Sequence, residues 1–129
     1  KKTNLFPYTQ ATLKYLKARY KLHIITNGFE EVQYQKLENS NLIDYFEQII
    51  TSEQVGFKKP NSQIFRFSLN KVGAKPSECL MIGDDLHADI SGAKGVDIDQ
   101  VFFNPTSLTH SISEITHEIN CLSELEEIL

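Results

Sequence analysis

The stretch CLMIGDDLHADI, residues 79–90, decides how the rest of the chain is read. An apolar run, Cys79, Leu80, Met81 and Ile82, ends in Gly83 and then meets three carboxylates, Asp84, Asp85 and Asp89. A short apolar run closed by a turn signal reads as a buried strand, and strands buried on both faces belong to parallel sheets covered by helices. Ligands of such sheets bind beyond the carboxyl ends of the strands, where these acids stand.

Outward from that strand, helix-like and strand-like segments take turns. On its amino-terminal side, NSQIFRFSLNKVG has Asn61 as a cap, Ile64, Phe65, Leu69 and Val72 on one face and Gly73 at its end. Further upstream, PYTQATLKYLKARY places Leu13, Leu16 and Tyr20 at helical spacing, KLHIITNG is a strand ended by Asn27-Gly28, FEEVQYQKLENSN is a polar helix and FEQIITS a second strand. Downstream, ADISGAKG is a short helix closed by Gly95, and QVFFNP is a strand stopped at Asn104-Pro105. Ser123 with Glu126 forms a capping-box pattern ahead of ELEEIL. The alternation predicts an α/β fold, a three-layer Rossmann-like parallel sheet, with residues 1–129 as a single domain.

Composition excludes several classes of function. With 40% hydrophobic and 23% charged residues in 129, the chain is an ordinary globular domain. No apolar run approaches the ~18 residues of a membrane span, and KKTNLFPYTQ has none of the features of a secretory signal. A formal charge of -4 without a basic cluster predicts neither nucleic acid nor an anionic membrane as partner. Two cysteines, Cys79 and Cys121, are too few for a disulfide framework, which points to a cytoplasmic location.

The strand exits are Thr26-Asn27-Gly28, Thr51-Ser52, Gly83-Asp84-Asp85 and Asn104-Pro105, with Lys58-Lys59 just ahead of a helix start. Each has a plain alternative. Asn27-Gly28 suits any tight turn, Lys58 and Lys59 suit a solvated surface, and the three aspartates could cap the helix that begins near Leu86. His87 reads as a surface residue and His23 as a packed ring. Taken together at one sheet edge, the same groups make a phosphoryl-transfer set. Clustered carboxylates with retained waters suit Mg²⁺; Thr26, Asn27 and Gly28 can hold phosphate oxygens; a lysine offsets the phosphoryl charge.

The ordered set IITNG, GFKKPNSQIF and MIGDDLHAD resembles the second, third and fourth motifs of the haloacid dehalogenase-like (HAD-like) hydrolases, most of which are Mg²⁺-dependent phosphatases. The resemblance runs from about YTQATLKYLK to VFFNP, and the tail CLSELEEIL is typical of the subgroup. It implies that Thr26, with Asn27 and Gly28 beside it, hydrogen-bonds the transferring phosphoryl group and that Lys59 rather than Lys58 is the motif-three lysine. By the same comparison Asp84 binds Mg²⁺ and Asp89 acts through a metal-bound water, while Asp85 stands where many members have serine and is kept as a third candidate metal residue. The implied substrate is a small phosphorylated metabolite.

Family catalysis starts at an upstream strand ending in DxDx[T/V], whose first aspartate attacks phosphorus and forms an aspartyl-phosphate. KKTNLFPY contains no aspartate and resembles the segment that returns from a cap domain. Asp97-x-Asp99 imitates the motif, but its apolar residues Val101, Phe102 and Phe103 come after the acids, so the pair enters a strand instead of leaving one. The expectation is a core whose central first strand is missing, inactive alone, with open strand edges that invite self-association or pairing with the missing segment. A phosphomutase or dehalogenase shares this framework, and a non-catalytic HAD-like binding or regulatory module is the competing class. A receiver domain would need its acidic pair first and its lysine last, the reverse of Thr26, Lys59, Asp84.

Overall fold

The computed structural model describes residues 9–112 and 114–129. Backbone contacts divide the chain into two compact units, one built from the residues up to Gly56 with Leu122–Leu129, the other from Phe57–Cys121.

The first unit contains α1 (Thr9–Lys17), β1 (His23–Thr26), α2 (Glu30–Asn39), β2 (Gln48–Thr51), α3 (Ser52–Val55) and, from the carboxyl terminus, α6 (Leu125–Ile128). Helix α1 buries Thr12 and Leu16, four apart and therefore on one face. Tyr20 lies beyond the helix and is exposed, so the apolar spacing read from the sequence overruns the element by one turn. Its hydroxyl donates to the Leu129 carbonyl at 3.2 Å, and that of Tyr15 to the Glu126 carbonyl at 3.3 Å, which ties α1 to the terminal helix. Strands β1 and β2 are parallel, with Thr26 paired to Thr51 at their carboxyl ends. Ile49, Ile50 and Thr51 of β2 are buried, whereas all four residues of β1 are half-buried. Thr51 caps α3 by accepting the Gln54 N–H at 3.1 Å, and Gly56 closes it in the left-handed region at φ 91°.

The second unit contains α4 (Ser62–Val72), β3 (Leu80–Gly83), one π-helical turn (Leu86–Ser91) running into the short helix α5 (Gly92–Lys94), β4 (Asp99–Phe103) and β5 (His117–Ile119). Asn61 caps α4 through the Gln63 N–H at 2.8 Å, and Gly73 ends it at φ 69°, as the sequence signals predict. Ile64, Phe65, Ile90, Ala93 and Val101 have no exposed surface and Phe102 has 2%. Each large side chain among them contributes roughly 1.5–3 kcal/mol by its burial.

Strands β3, β4 and β5 form a parallel sheet in that order, Leu80 pairing with Asp99 and Gly83 with Phe102. Asp99 therefore lies at the amino end of β4, opposite the edge that Asp84 leaves, and Asp97 sits in a turn at φ 62°. The turn reading of VDIDQV follows directly. Strand β5 escapes the sequence reading because His117 and Glu118 are exposed and only Ile119 is buried. The expected capping box also shifts: Ser123 falls in a 3-10 turn and Glu124 stands at the N-cap of α6 without a side-chain cap bond. No described helix is long and apolar enough to cross a membrane.

The described strands thus make two parallel sheets. Strand β3 ends its sheet and is half-buried along its whole length, although LMIG is as apolar as the buried VFF of β4.

Candidate functional site

In the first unit, β1 delivers Thr26 at its carboxyl end, and the Thr26 hydroxyl accepts the Gly28 N–H at 3.2 Å, closing the turn. A side chain at Gly28 would meet the Gln33 amide, its Cδ at 3.0 Å, so glycine here serves close packing as well as turn geometry. Phe29 follows at the N-cap of α2 without a side-chain cap bond, and the Glu30 N–H is taken instead by the Glu53 carboxylate at 3.0 Å. His23, at the other end of β1, is held below its ordinary pKa by burial, with Glu47 opposing and Lys21 adding to the shift.

In the second unit, Lys59 and Asp89 form an ion pair, Nζ to Oδ1 at 2.5 Å, with side chains only 11% and 8% exposed. Lys58 is exposed, whereas Lys59 is half-buried. The other Asp89 oxygen, Oδ2, accepts the Asp85 N–H at 3.2 Å. Gly83 makes room for this carboxyl group: a Cβ there would come within 2.5 Å of Asp89 Cβ and Cγ. That close approach explains the glycine at the end of β3, a role the sequence reading did not assign it.

Asp85 is the N-cap of the π-helical turn, its Oδ1 accepting the N–H groups of His87 at 3.0 Å and Ala88 at 2.8 Å. Asp84 is exposed, and its carboxylate has no hydrogen-bond partner among the described residues. His87 is exposed, as expected of a surface residue. The three aspartates are therefore not gathered as a cage. Among the described residues no group of three or more His, Cys, Asp or Glu side chains is placed to hold a metal ion. The physical reason is that Asp85 spends an oxygen on backbone amides and Asp89 spends both on Lys59 and the Asp85 amide. The donor chemistry nonetheless fits Mg²⁺, which keeps several waters and is commonly held by only one or two carboxylates.

One polar constellation around the buried Asn104 went unread in the sequence. Asn104, 2% exposed, donates through its amide to the Leu108 carbonyl at 3.0 Å and to Glu118 Oε2 at 2.9 Å, while its Oδ1 accepts the Leu108 N–H at 2.9 Å. His110 pairs with Glu118 Oε1 at 2.8 Å and stands edge-on to Phe102. The Asn104 amide, followed by His110, holds the Glu118 carboxyl below its ordinary pKa. This clamp fixes the loop after β4; the Asn-Pro dipeptide signalled only that the strand stops.

The model of the haloacid dehalogenase-like hydrolases matches residues 1–97 of this sequence. The chain belongs to that family. Over 132 residues it is 34% identical to a glyceraldehyde 3-phosphate phosphatase of Methanothermobacter thermautotrophicus, covering 96% of this chain and 58% of the relative. A ribulose-1,5-bisphosphate 5-phosphatase of Halopiger xanaduensis is 33% identical over 136 residues, covering 98% and 57%. Among solved structures, the putative HAD-hydrolase YfnB of Bacillus subtilis bound to magnesium superposes with a TM-score of 0.93 at 31% identity, covering 97% of this chain and 56% of that one. A HAD phosphatase from Thermococcus onnurineus gives 0.90 at 36% identity, covering 97% and 58%. This HAD-like chain thus spans a little over half the length of the relatives it matches.

Proposed function

We propose that the chain carries the lysine and magnesium-binding part of a phosphatase acting on a small phosphate ester through an aspartyl-phosphate, the attacking carboxylate coming from a strand outside these 129 residues. The observation that carries this reading is the second-unit arrangement: Lys59 paired with Asp89 beside Gly83, with Asp84, at the exit of the same strand, a carboxylate without a partner among the described residues. The names of the relatives, phosphatases of small sugar phosphates, agree with it.

In this reading Thr26, Asn27 and Gly28 would bind the phosphoryl oxygens, Lys59 would neutralise phosphoryl charge, and Asp84, backed by Asp89, would hold Mg²⁺. When bound, the metal would offset the negative charge of the transferring group. Lys59 has the burial and pairing that keep an ammonium in one place, so little reorganisation is needed when phosphate arrives. The missing strand would lie along β3. Support comes from the half-burial of Leu80–Gly83 and from the further length of the relatives. A parallel apolar strand there would complete the burial and pair the open edge. A second copy of the chain is the other possible occupant of that edge.

The test is an aryl phosphate assay of the 129-residue chain with Mg²⁺. We expect no turnover; appreciable turnover that disappears with Asp84→Asn would overturn the claim that the nucleophile lies elsewhere. Restoration of turnover by adding a polypeptide that carries the upstream strand, and not by its variant with the attacking aspartate changed to asparagine, would separate the enzyme from a non-catalytic relative.

A further inference from the structure

We infer that Asp85 is a positioning residue and not a metal ligand: it builds the turn that fixes Asp89 and leaves Asp84 as the carboxylate available to Mg²⁺. The inference rests on the metal reading of Asp84 proposed above.

Asp85 is the hub of the local hydrogen bonding. Its Oδ1 accepts two backbone N–H groups, from His87 and Ala88. Its carbonyl accepts two more, from Asp89 at 2.9 Å and Ile90 at 3.2 Å. Its own N–H donates to Asp89 Oδ2. The backbone at φ -109°, ψ 110° is extended, as an N-cap requires. The bond reaching five residues back, from Ile90, widens the turn into the π form, and Asp89 within it becomes 5% exposed, against Gly83 and Lys59.

A metal ligand has the opposite need. Oδ1, which already accepts two N–H groups, has its favourable lone-pair directions occupied, and turning it to a cation would release both donors at the start of the turn. Only Oδ2 is left for a metal, and the serine and asparagine variants separate that role from the cap. The cap requires only a short side chain with an acceptor oxygen, so serine or asparagine should replace Asp85, whereas alanine should not. A neutral serine or asparagine oxygen holds Mg²⁺ more weakly than a carboxylate, so the same replacements would lower the affinity if Asp85 were a ligand.

The experiment measures Mg²⁺ affinity by calorimetry and the metal-free melting temperature for the 129-residue chain and its Asp84→Asn, Asp85→Ala, Asp85→Ser and Asp85→Asn variants. Asp84→Asn is expected to abolish Mg²⁺ binding with the melting temperature nearly unchanged. Asp85→Ala should melt lower by about 3–6 °C, the loss of one cap in a chain of this size, and should bind Mg²⁺ several-fold more weakly because Asp89 loses its place. Asp85→Ser and Asp85→Asn should restore both. Serine and asparagine variants that melt like the parent but bind Mg²⁺ as poorly as Asp84→Asn would make Asp85 a ligand and overturn the inference. An alanine variant that melts like the serine variant would overturn it too, because the cap would then be idle. If the parent chain takes up no Mg²⁺, the metal reading of Asp84 falls, and the assignment of Asp85 is decided by the melting temperatures.

Discussion

Replacing Lys59 by methionine tests whether its pair with Asp89 holds the acidic turn together. The two side chains meet at 2.5 Å and are 11% and 8% exposed, so the Asp89 carboxylate has surrendered most of its water. Methionine keeps the apolar stem and removes the ammonium, leaving a buried charge with the Asp85 amide at 3.2 Å. Breaking a buried pair from one side costs about 3–5 kcal/mol, and the residual solvent contact here puts the expected loss at the lower end, about 3 kcal/mol. With an unfolding entropy of about 2.1 cal/mol/K per residue, that is a fall in melting temperature of about 11 °C for the whole chain. Asp89→Asn removes the anion from the pair instead and should also destabilise the chain. The double variant removes both charges, and its loss should be smaller than the sum of the two by about 2 kcal/mol. The cycle, measured by urea and thermal unfolding at neutral pH, cancels whatever else either side chain touches. A coupling below about 0.5 kcal/mol would refute the argument, because the pair would then be incidental to the fold.

Gly83→Ala should cost about 1–3 kcal/mol by overpacking and weaken Mg²⁺ binding, since its methyl group would displace the Asp89 carboxyl; unchanged calorimetry and melting would contradict the close approach seen here. Gly92→Ala should cost a similar amount without touching Mg²⁺ affinity, its Cβ falling 2.7 Å from Phe65 Cζ and 3.2 Å from Pro60 Cα. Because Glu118 titrates below its ordinary 4.5 in the folded chain, its clamp stabilises above that pH and the contribution is lost as pH falls through the lowered folded value. Glu118→Gln should therefore flatten the acid limb of the stability profile, as read by melting temperature against pH. His23, held below 6.5 by burial, favours the fold above that pH and begins to oppose it as pH falls below 6.5. His23→Gln should reduce the drop in melting temperature between pH 7.5 and about 5.5.

The elements that the sequence made legible are those whose own residues carry the signal. Asn61 and Gly73 bracket α4 because a cap side chain and a left-handed backbone are local demands. The strands HIIT, QIIT, LMIG and the VFF of β4 appear as apolar runs because they face other layers. What stayed hidden depends on partners distant in sequence. Strand β5 is legible only once β4 is in place beside it, since two of its three residues are exposed. Asp85 and Asp89 look alike in GDDLHADI, yet one caps a turn and the other is buried against a lysine thirty residues away. Nothing in a run of carboxylates reveals which oxygen a backbone amide will claim.

The half-burial of β3 bears on the same division. Parallel pairing with β4 occupies one edge of Leu80–Gly83, and no described strand pairs with the other. Four residues of this composition are half-buried at the end of a sheet among the described strands, and natural sheets usually protect such an edge by charge, bulges or covering segments. Here the covering charge is at the end of the strand and not along it, at Asp84 and Asp85. An added strand would therefore meet apolar neighbours along its length and carboxylates at its exit. If that strand itself ended in an acid, the clustered negative charge would require a cation, and Asp84, without a partner among the described residues, would be a ligand for it on this chain. The open edge and the metal thus become one requirement: Mg²⁺ should stabilise the chain more strongly with an acid-ended strand supplied than without it, and equal stabilisation in the two cases would break the link.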